Sequence, residues 1–234
     1  MSKLINGARF LIAYARLVRS VANLDIVFNL INEIVDHEGD EKLAPILALP
    51  AVQAMLDRGD PPLVLDLVVL RELPEGTLGR AFAEFIDSRG FSIEDLYRHD
   101  PSEQTEARRL QIHLERSHDL WHVVTGFDTD EAGELGLQAF YLAQFEGAIA
   151  GTILSAGLLN GVLFRPEDLR RRMDAMATGW GYGKSVRSLL GVDWAALLDQ
   201  SLSEVRERFG ITPELVLSAG RPAAPELAEI PAAA

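Results

Sequence analysis

The chain has 234 residues, 48% of them apolar, which suits one good core and does not describe a disordered chain. It carries 35 acids against 22 bases, a formal charge of −13, and no basic stripe follows the first twenty residues, which argues against a nucleic-acid groove. There is no cysteine, so disulfides, thiolate nucleophiles, iron–sulfur clusters and thiolate zinc sites are excluded.

Residues 1–22 read as a basic amphipathic helix. Lys3, Arg9, Arg16 and Arg19 are its charges, and no acid precedes Asp25. Such a helix can dock on an anionic membrane surface, or pack as an ordinary helix with a basic outer face. Its bases and apolar residues are interleaved, which is not the pattern of a signal peptide. Helical spacing continues over 24–36, and Gly39-Asp40 is expected to break it. A further helix is expected over 41–58, stopped by Gly59 and the prolines 61 and 62. Leu63 to Leu70 is strand-like but has no partner strand, and reads as a buried extended connector or a short helix.

Leu73-Pro74-Glu75-Gly76-Thr77-Leu78-Gly79-Arg80 leads into apolar residues at helical spacing, Phe82, Phe85 and Ile86. Its two glycines require either a close backbone approach or a strained turn. The block lacks the lysine and the strand-then-helix setting of a phosphate-binding loop. Asp100-Pro101-Ser102-Glu103 marks a helix start, with the helix running to about Val124 and Gly126 ending it. Asp128-Thr129-Asp130-Glu131 then opens the next helix with a capping pattern, placing Glu134 about one turn in.

Residues 131–163 read as one long apolar helix, or two with a kink. From Gly147 to Phe164 no residue is charged. That run is at the lower edge for a membrane span, and its Gly, Ala, Thr, Ser and Asn content favours a bundle helix. Gly147 and Gly151, then Gly157 and Gly161, put small residues four apart. They leave room for a neighbouring helix or for an isoprenoid or acyl tail. A polar helix is expected over 165–176, a turn over 180–184, a helix over 184–190, and a last helix from Asp193 to Phe209. The expected architecture is all-α: a single-domain helical bundle over 23–215, preceded by the N-terminal helix and followed by a disordered tail over 216–234.

The chemistry concentrates in Ser117-His118-Asp119-Leu120-Trp121-His122 and in Glu134. Positions i and i+4 share a helix face, so His118 and His122 can point the same way. Asp119 sits about 100° around from His118. If the next helix folds back, Glu134 reaches the same point. Two histidines and two carboxylates suit a divalent metal; a capped helix with incidental polar residues is the competing reading. The zincin motif needs Glu where Asp119 stands. A triad built on Ser117 fails because neighbours on one helix point apart.

His118-Asp119-x-x-His122, eleven residues and Glu134 resemble the signature of the ubiquinone-biosynthesis "coenzyme Q protein four" family. The Leu73–Arg80 block with Ala81 and Phe85, and Leu202-x-x-Val205-Arg206-x-x-Phe209-Gly210-Ile211, are similar to its other blocks in the same order. The resemblance implies an all-helical protein peripheral to membranes, on their inner, cytoplasmic face here, associated with other quinone-pathway enzymes. It implies metal ligation by His118, Asp119, His122 and Glu134, with zinc the first expectation and iron the second. The implied reaction is oxidative decarboxylation at C1 of a polyprenylated 4-hydroxy-3-methoxybenzoate, and the small-residue spacing of Gly147, Gly151, Gly157 and Gly161 is then expected to line its tail. The alternative is a prenyl-lipid-binding scaffold that presents intermediates to other enzymes.

Overall fold

The computed structural model describes residues 2–21, 23–59, 61–92, 105–145 and 147–220, with side chains for all of these except 2–9, 24 and 33–42. The expected helix start at Asp100–Glu103 and residues 221–234 of the expected tail lie outside them. The fold is all-α and forms a single helical domain. Among the described residues no helix is long and apolar enough to cross a membrane.

Helix α1 (Ser2–Arg19) packs beside α8 (Ala148–Phe164). Leu17 and Val18 are buried, Tyr14 donates to Ser155 Oγ at 3.0 Å, and buried Asn160 donates to the Val18 carbonyl at 2.8 Å. Helix α2 (Leu24–Leu47) runs straight through Gly39, where a break was expected. One glycine costs a helix only about 1 kcal/mol. Buried Leu30 on one side and buried Leu43 and Ile46 on the other outweigh that. Pro50 opens α3 (Pro50–Arg58), and Gly59 closes it in the left-handed conformation.

Residues 61–66 are irregular, and Asp66 caps the short α4 (Leu67–Arg71). The connector is only half buried, contrary to expectation. Leu65 and Leu70 face the core while Val64, Val68 and Val69 are exposed. The Leu73–Arg80 block turns at Gly76 (φ 81°) and starts α5 (Leu78–Arg89), with Thr77 accepting from the Arg80 amide. The Leu78 and Gly79 amides donate to the Gln200 and Leu198 carbonyls, both at 2.8 Å. A Cβ on Gly79 would lie 2.9 Å from the Leu198 oxygen. The glycine therefore permits backbone contact with the 198–202 segment, and those helix-start amides are already used.

The centre of the fold is α6 (Glu106–Thr125), α7 (Glu131–Gln144), α8 and α9 (Leu169–Ser185). Phe145 is extended, so the apolar stretch is two helices and not one. Helix α9 continues through Gly179, Gly181 and Gly183, where a turn was expected. Its close approach to α7 explains this. A Cβ on Gly179 would lie 1.9 Å from the Gly136 carbonyl oxygen, and one on Gly183 would lie 2.7 Å from that of Phe140. Glycine here is a packing device, and the helix cost is offset by burial. The segment expected as a helix over 184–190 leaves α9 at Ser185 and is irregular.

The last expected helix is split: a short 3₁₀ turn (Ala195–Leu197) precedes α10 (Leu202–Phe209). A further helix, α11 (Pro213–Ala219), carries regular structure past residue 215. The core holds Trp121, Phe140, Tyr182, Trp194 and Phe82, all nearly fully buried. Each such large apolar side chain contributes on the order of 2 kcal/mol by burial.

Beneath α8 lies a charged core group that the sequence does not announce. Arg172 is fully buried; it pairs with Glu131 and Asp168 and donates to Asn160 Oδ1 and the Gly157 carbonyl, both at 2.8 Å. The helix read as polar over 165–176 thus turns its strongest charge inward.

Candidate metal centre

Helix α6 presents His118 and His122 on one face, as their spacing requires. The helix ends one turn later at Gly126 (φ 88°), whose amide bonds back to the His122 carbonyl at 2.8 Å. Asp130 caps α7 by accepting from the Gly133 amide at 2.9 Å. This short reversal brings Glu134, in the first turn of α7, against both histidines.

Three donor side chains converge there. The two Nε2 atoms are 3.2 Å apart. Glu134 Oε1 is 3.2 Å from His122 Nε2, and its Oε2 is 3.4 Å from His118 Nε2. Ligands at about 2.1 Å from one ion in a tetrahedron stand about 3.4 Å from each other, so the donor set has the spacing of a coordination face. His118, Asp119 and His122 form a group that could hold a metal ion, their ligand atoms all within 4.8 Å of one another.

The other ring nitrogens are tied off. His122 Nδ1 lies 3.0 Å from the Phe127 carbonyl oxygen. That oxygen only accepts, so Nδ1 carries the proton and Nε2 presents its lone pair. His118 Nδ1 lies 3.3 Å from Tyr141 Oη, which can accept in the same way. Tyr141 is held by its ring, stacked on Trp121 with centroids 4.2 Å apart. Hydrogen bonds of this kind fix the orientation of metal-ligating histidines.

The electrostatics show what the cluster needs. Burial alone would lower the pKa of His118, but the hydrogen bond and charge of Glu134 more than offset this and raise it. Burial would raise Glu134, yet His122 and His118 hold it well below the usual carboxylate range. Burial pushes Asp119 up against the pull of both histidines. Burial, then the charges of Asp119 and Glu134, push the Tyr141 phenol up and keep it protonated. Two lone-pair nitrogens and a carboxylate this close repel unless a proton or a cation sits among them.

Tyr141 and Phe127 escaped the sequence reading. Tyr141 stands seven residues after Glu134, two helical turns on the same face, so spacing could have found it. A backbone carbonyl such as that of Phe127 leaves no sequence signal.

The four glycines read as a tail groove are not alike. A Cβ on Gly157 would lie 2.4 Å from Leu135 Cδ2, and one on Gly161 would lie 3.0 Å from Leu169. The space at Gly157 and Gly161 is taken by neighbouring helices. A Cβ on Gly147 would lie 3.3 Å from the Phe145 ring, and one on Gly151 would meet no neighbour within 4 Å.

Residues 62–214 match the family model described as coenzyme Q (ubiquinone) biosynthesis protein Coq4. The chain is 31% identical over 149 residues to the mitochondrial ubiquinone biosynthesis protein coq4 of Aspergillus niger, covering 63% of this chain and 50% of that protein. The Yarrowia lipolytica protein of the same name is 28% identical over 149 residues, 63% of this chain and 55% of its own length. The chain therefore spans about half the length of the curated relatives it matches. A crystal structure of a candidate ubiquinone biosynthesis protein from Nostoc punctiforme superposes with a TM-score of 0.77 at 31% identity, covering 88% of this chain and 99% of that one.

Proposed function

Because the chain belongs to the coenzyme Q (ubiquinone) biosynthesis Coq4 family, we propose that it is a metal-dependent enzyme of ubiquinone biosynthesis. It removes the C1 carboxyl of a polyprenylated 4-hydroxy-3-methoxybenzoate and leaves a hydroxyl there, with dioxygen as oxidant. His118, His122 and Glu134 would hold a divalent ion, zinc or iron, with Asp119 as fourth donor. When bound, the ion supplies Lewis acidity toward the substrate's carboxylate or phenolate, and iron would add oxygen chemistry. Glu134 stays ionised and offsets the charge of the site. Phe127 and Tyr141 hold the histidine rings in the orientation that frees both Nε2 atoms.

The observation that carries this reading is the convergence of two ring nitrogens and one carboxylate at 3.2–3.4 Å, with both Nδ1 atoms already engaged. Its test is carbon dioxide release from the prenylated benzoate by purified full chain, with and without oxygen. Oxygen-dependent turnover supports the enzyme. Bound metal without turnover favours the second reading, a prenyl-lipid-binding scaffold for other quinone-biosynthesis enzymes.

Exposed apolar side chains support that rival and a peripheral membrane position alike. Phe10, Leu11 and Ile12 of α1 are exposed near exposed Arg16 and Arg19, and Val162, Leu163 and Phe164 end α8 in solvent. A peripheral position on the inner, cytoplasmic face of the membrane is part of this proposal, and the exposed side chains support its peripheral character alone. Binding to anionic vesicles that weakens with salt is the expected result; salt-insensitive binding would indicate apolar insertion instead.

A further inference from the structure

A cavity of about 430 Å³ opens between α5 and the turn joining α6 to α7. Phe85 and Arg89 line it from α5, Phe127 and Asp128 from the turn, and His122 from α6. It is thus a space with a candidate metal ligand in its wall. Its volume falls in the range of about 300–1,000 Å³ typical of small-molecule sites. A single substituted ring fits there, and a long isoprenoid tail does not.

The wall is organised around one cation. The Arg89 guanidinium lies 3.9 Å from the centroid of the Phe85 ring. Its Nε donates to Thr129 Oγ1 at 3.0 Å, and its Nη1 to the Phe85 carbonyl at 3.4 Å and Ser88 Oγ at 3.2 Å. Nη2 donates to Asp128 Oδ1 at 2.7 Å. Four of the five N–H groups of a guanidinium are thereby used, which fixes its plane and leaves one Nη2 hydrogen for a ligand. Asp128 is 61% exposed, so its hold on Arg89 is weakened by solvent. The other acid of the wall, Glu84, is engaged by Arg80 at 2.7 Å. The Phe85 and His122 rings stack on each other with centroids 5.9 Å apart and planes inclined by 23°, and the His122 side chain is fully buried in that contact.

We propose that this cavity receives the substrate's aromatic head, with Phe85 beside the ring and Arg89 paired to its carboxylate. Arg89 is then the residue that selects a ring bearing a carboxylate over one that has lost it. This assignment rests on the substrate class proposed above and adds the residues that recognise it. It also accounts for product release: once the carboxyl is gone, the remaining Nη2 hydrogen loses its partner while the Asp128 pair persists.

The test compares the dissociation constants of a geranylated 4-hydroxy-3-methoxybenzoate and the matching carboxyl-free phenol. The proteins are the full chain, Arg89→Met and Asp128→Asn, with metal content and Tm recorded for each. Wild type should prefer the carboxylate ligand tenfold or more. Arg89→Met should erase that preference, weakening the carboxylate ligand alone, with metal content unchanged. Asp128→Asn should bind the carboxylate ligand severalfold more tightly, an effect that no folding defect imitates. A wild-type preference that survives in Arg89→Met, an equal loss for both ligands, or weaker carboxylate binding in Asp128→Asn overturns the role of Arg89 alone. A wild type that binds metal but shows no preference overturns the substrate class as well.

Discussion

Helix α7 has two faces that answer to different chemistry. One carries Glu134 and Tyr141 toward the histidines of α6. The other carries Leu135, Gly136 and Ala139 toward α8 and α9, where helix backbones nearly touch. Both faces rest on regular spacing in the sequence. On the first, residues four and seven apart bring polar atoms together that need a cation. On the second, glycines make room for a neighbour's atoms and bind nothing further. Spacing shows which residues share a face; only the chemistry of the side chains shows whether that face is a site or a seam.

The seam should break hardest. Gly179→Ala puts a methyl into the Gly136 carbonyl, and Arg172→Met takes the cation from half-buried Glu131 and Asp168 and the donor from buried Asn160 and the Gly157 carbonyl. Each should cost about 3 kcal/mol or more, a Tm loss of roughly 6–12 °C by thermal melting. Gly157→Leu should cost about 1–3 kcal/mol by overpacking against Leu135, whereas Gly151→Leu meets no neighbour and should keep Tm or raise it, by up to about 1 kcal/mol of helix propensity. Equal effects at these two glycines would blur the distinction between a packed seam and an open surface.

The site face should break in affinity and leave stability alone. Tyr141→Phe removes the acceptor for His118 Nδ1 and should weaken metal binding about tenfold, as titration against a chelator would show. Metal competes with the proton on His118, whose pKa is raised. Affinity should therefore start to fall at a pH above the ordinary histidine value of about 6.5, and go on falling as pH is lowered.

His113 offers a control away from both faces. Burial, then the charge of Arg58, push its pKa down to about 4. It folds neutral, and the unfolded chain gains its proton first as pH drops below about 6.5. Its contribution is therefore present above that pH and lost between about 6.5 and 4, by about 3 kcal/mol. His113→Gln should flatten that part of the stability profile, read by denaturant titration at several pH values.

The helix ends around the site were legible because their signals are local. Gly126 and Asp130 are cap residues, and they fix the reversal that carries Glu134 to His118 and His122. The continuity of α2 through Gly39 and of α9 through Gly179–Gly183 was not legible. In both, packing against distant residues overrides a local penalty of about 1 kcal/mol per glycine. The same limit hid Arg172, whose partners lie forty-one, four and twelve residues away. Arg89 was missed because its role depends on a turn that only the fold brings beside it.

The most direct test of the central claim is elemental analysis of purified full chain beside His122→Ala and Glu134→Gln, after dialysis against a weak chelator. The expected result is one equivalent of zinc or iron in the wild type, loss of metal in both variants, and far-UV circular dichroism unchanged. Metal-free wild type after purification in the presence of both ions, or metal retained at full occupancy in both variants, would contradict it.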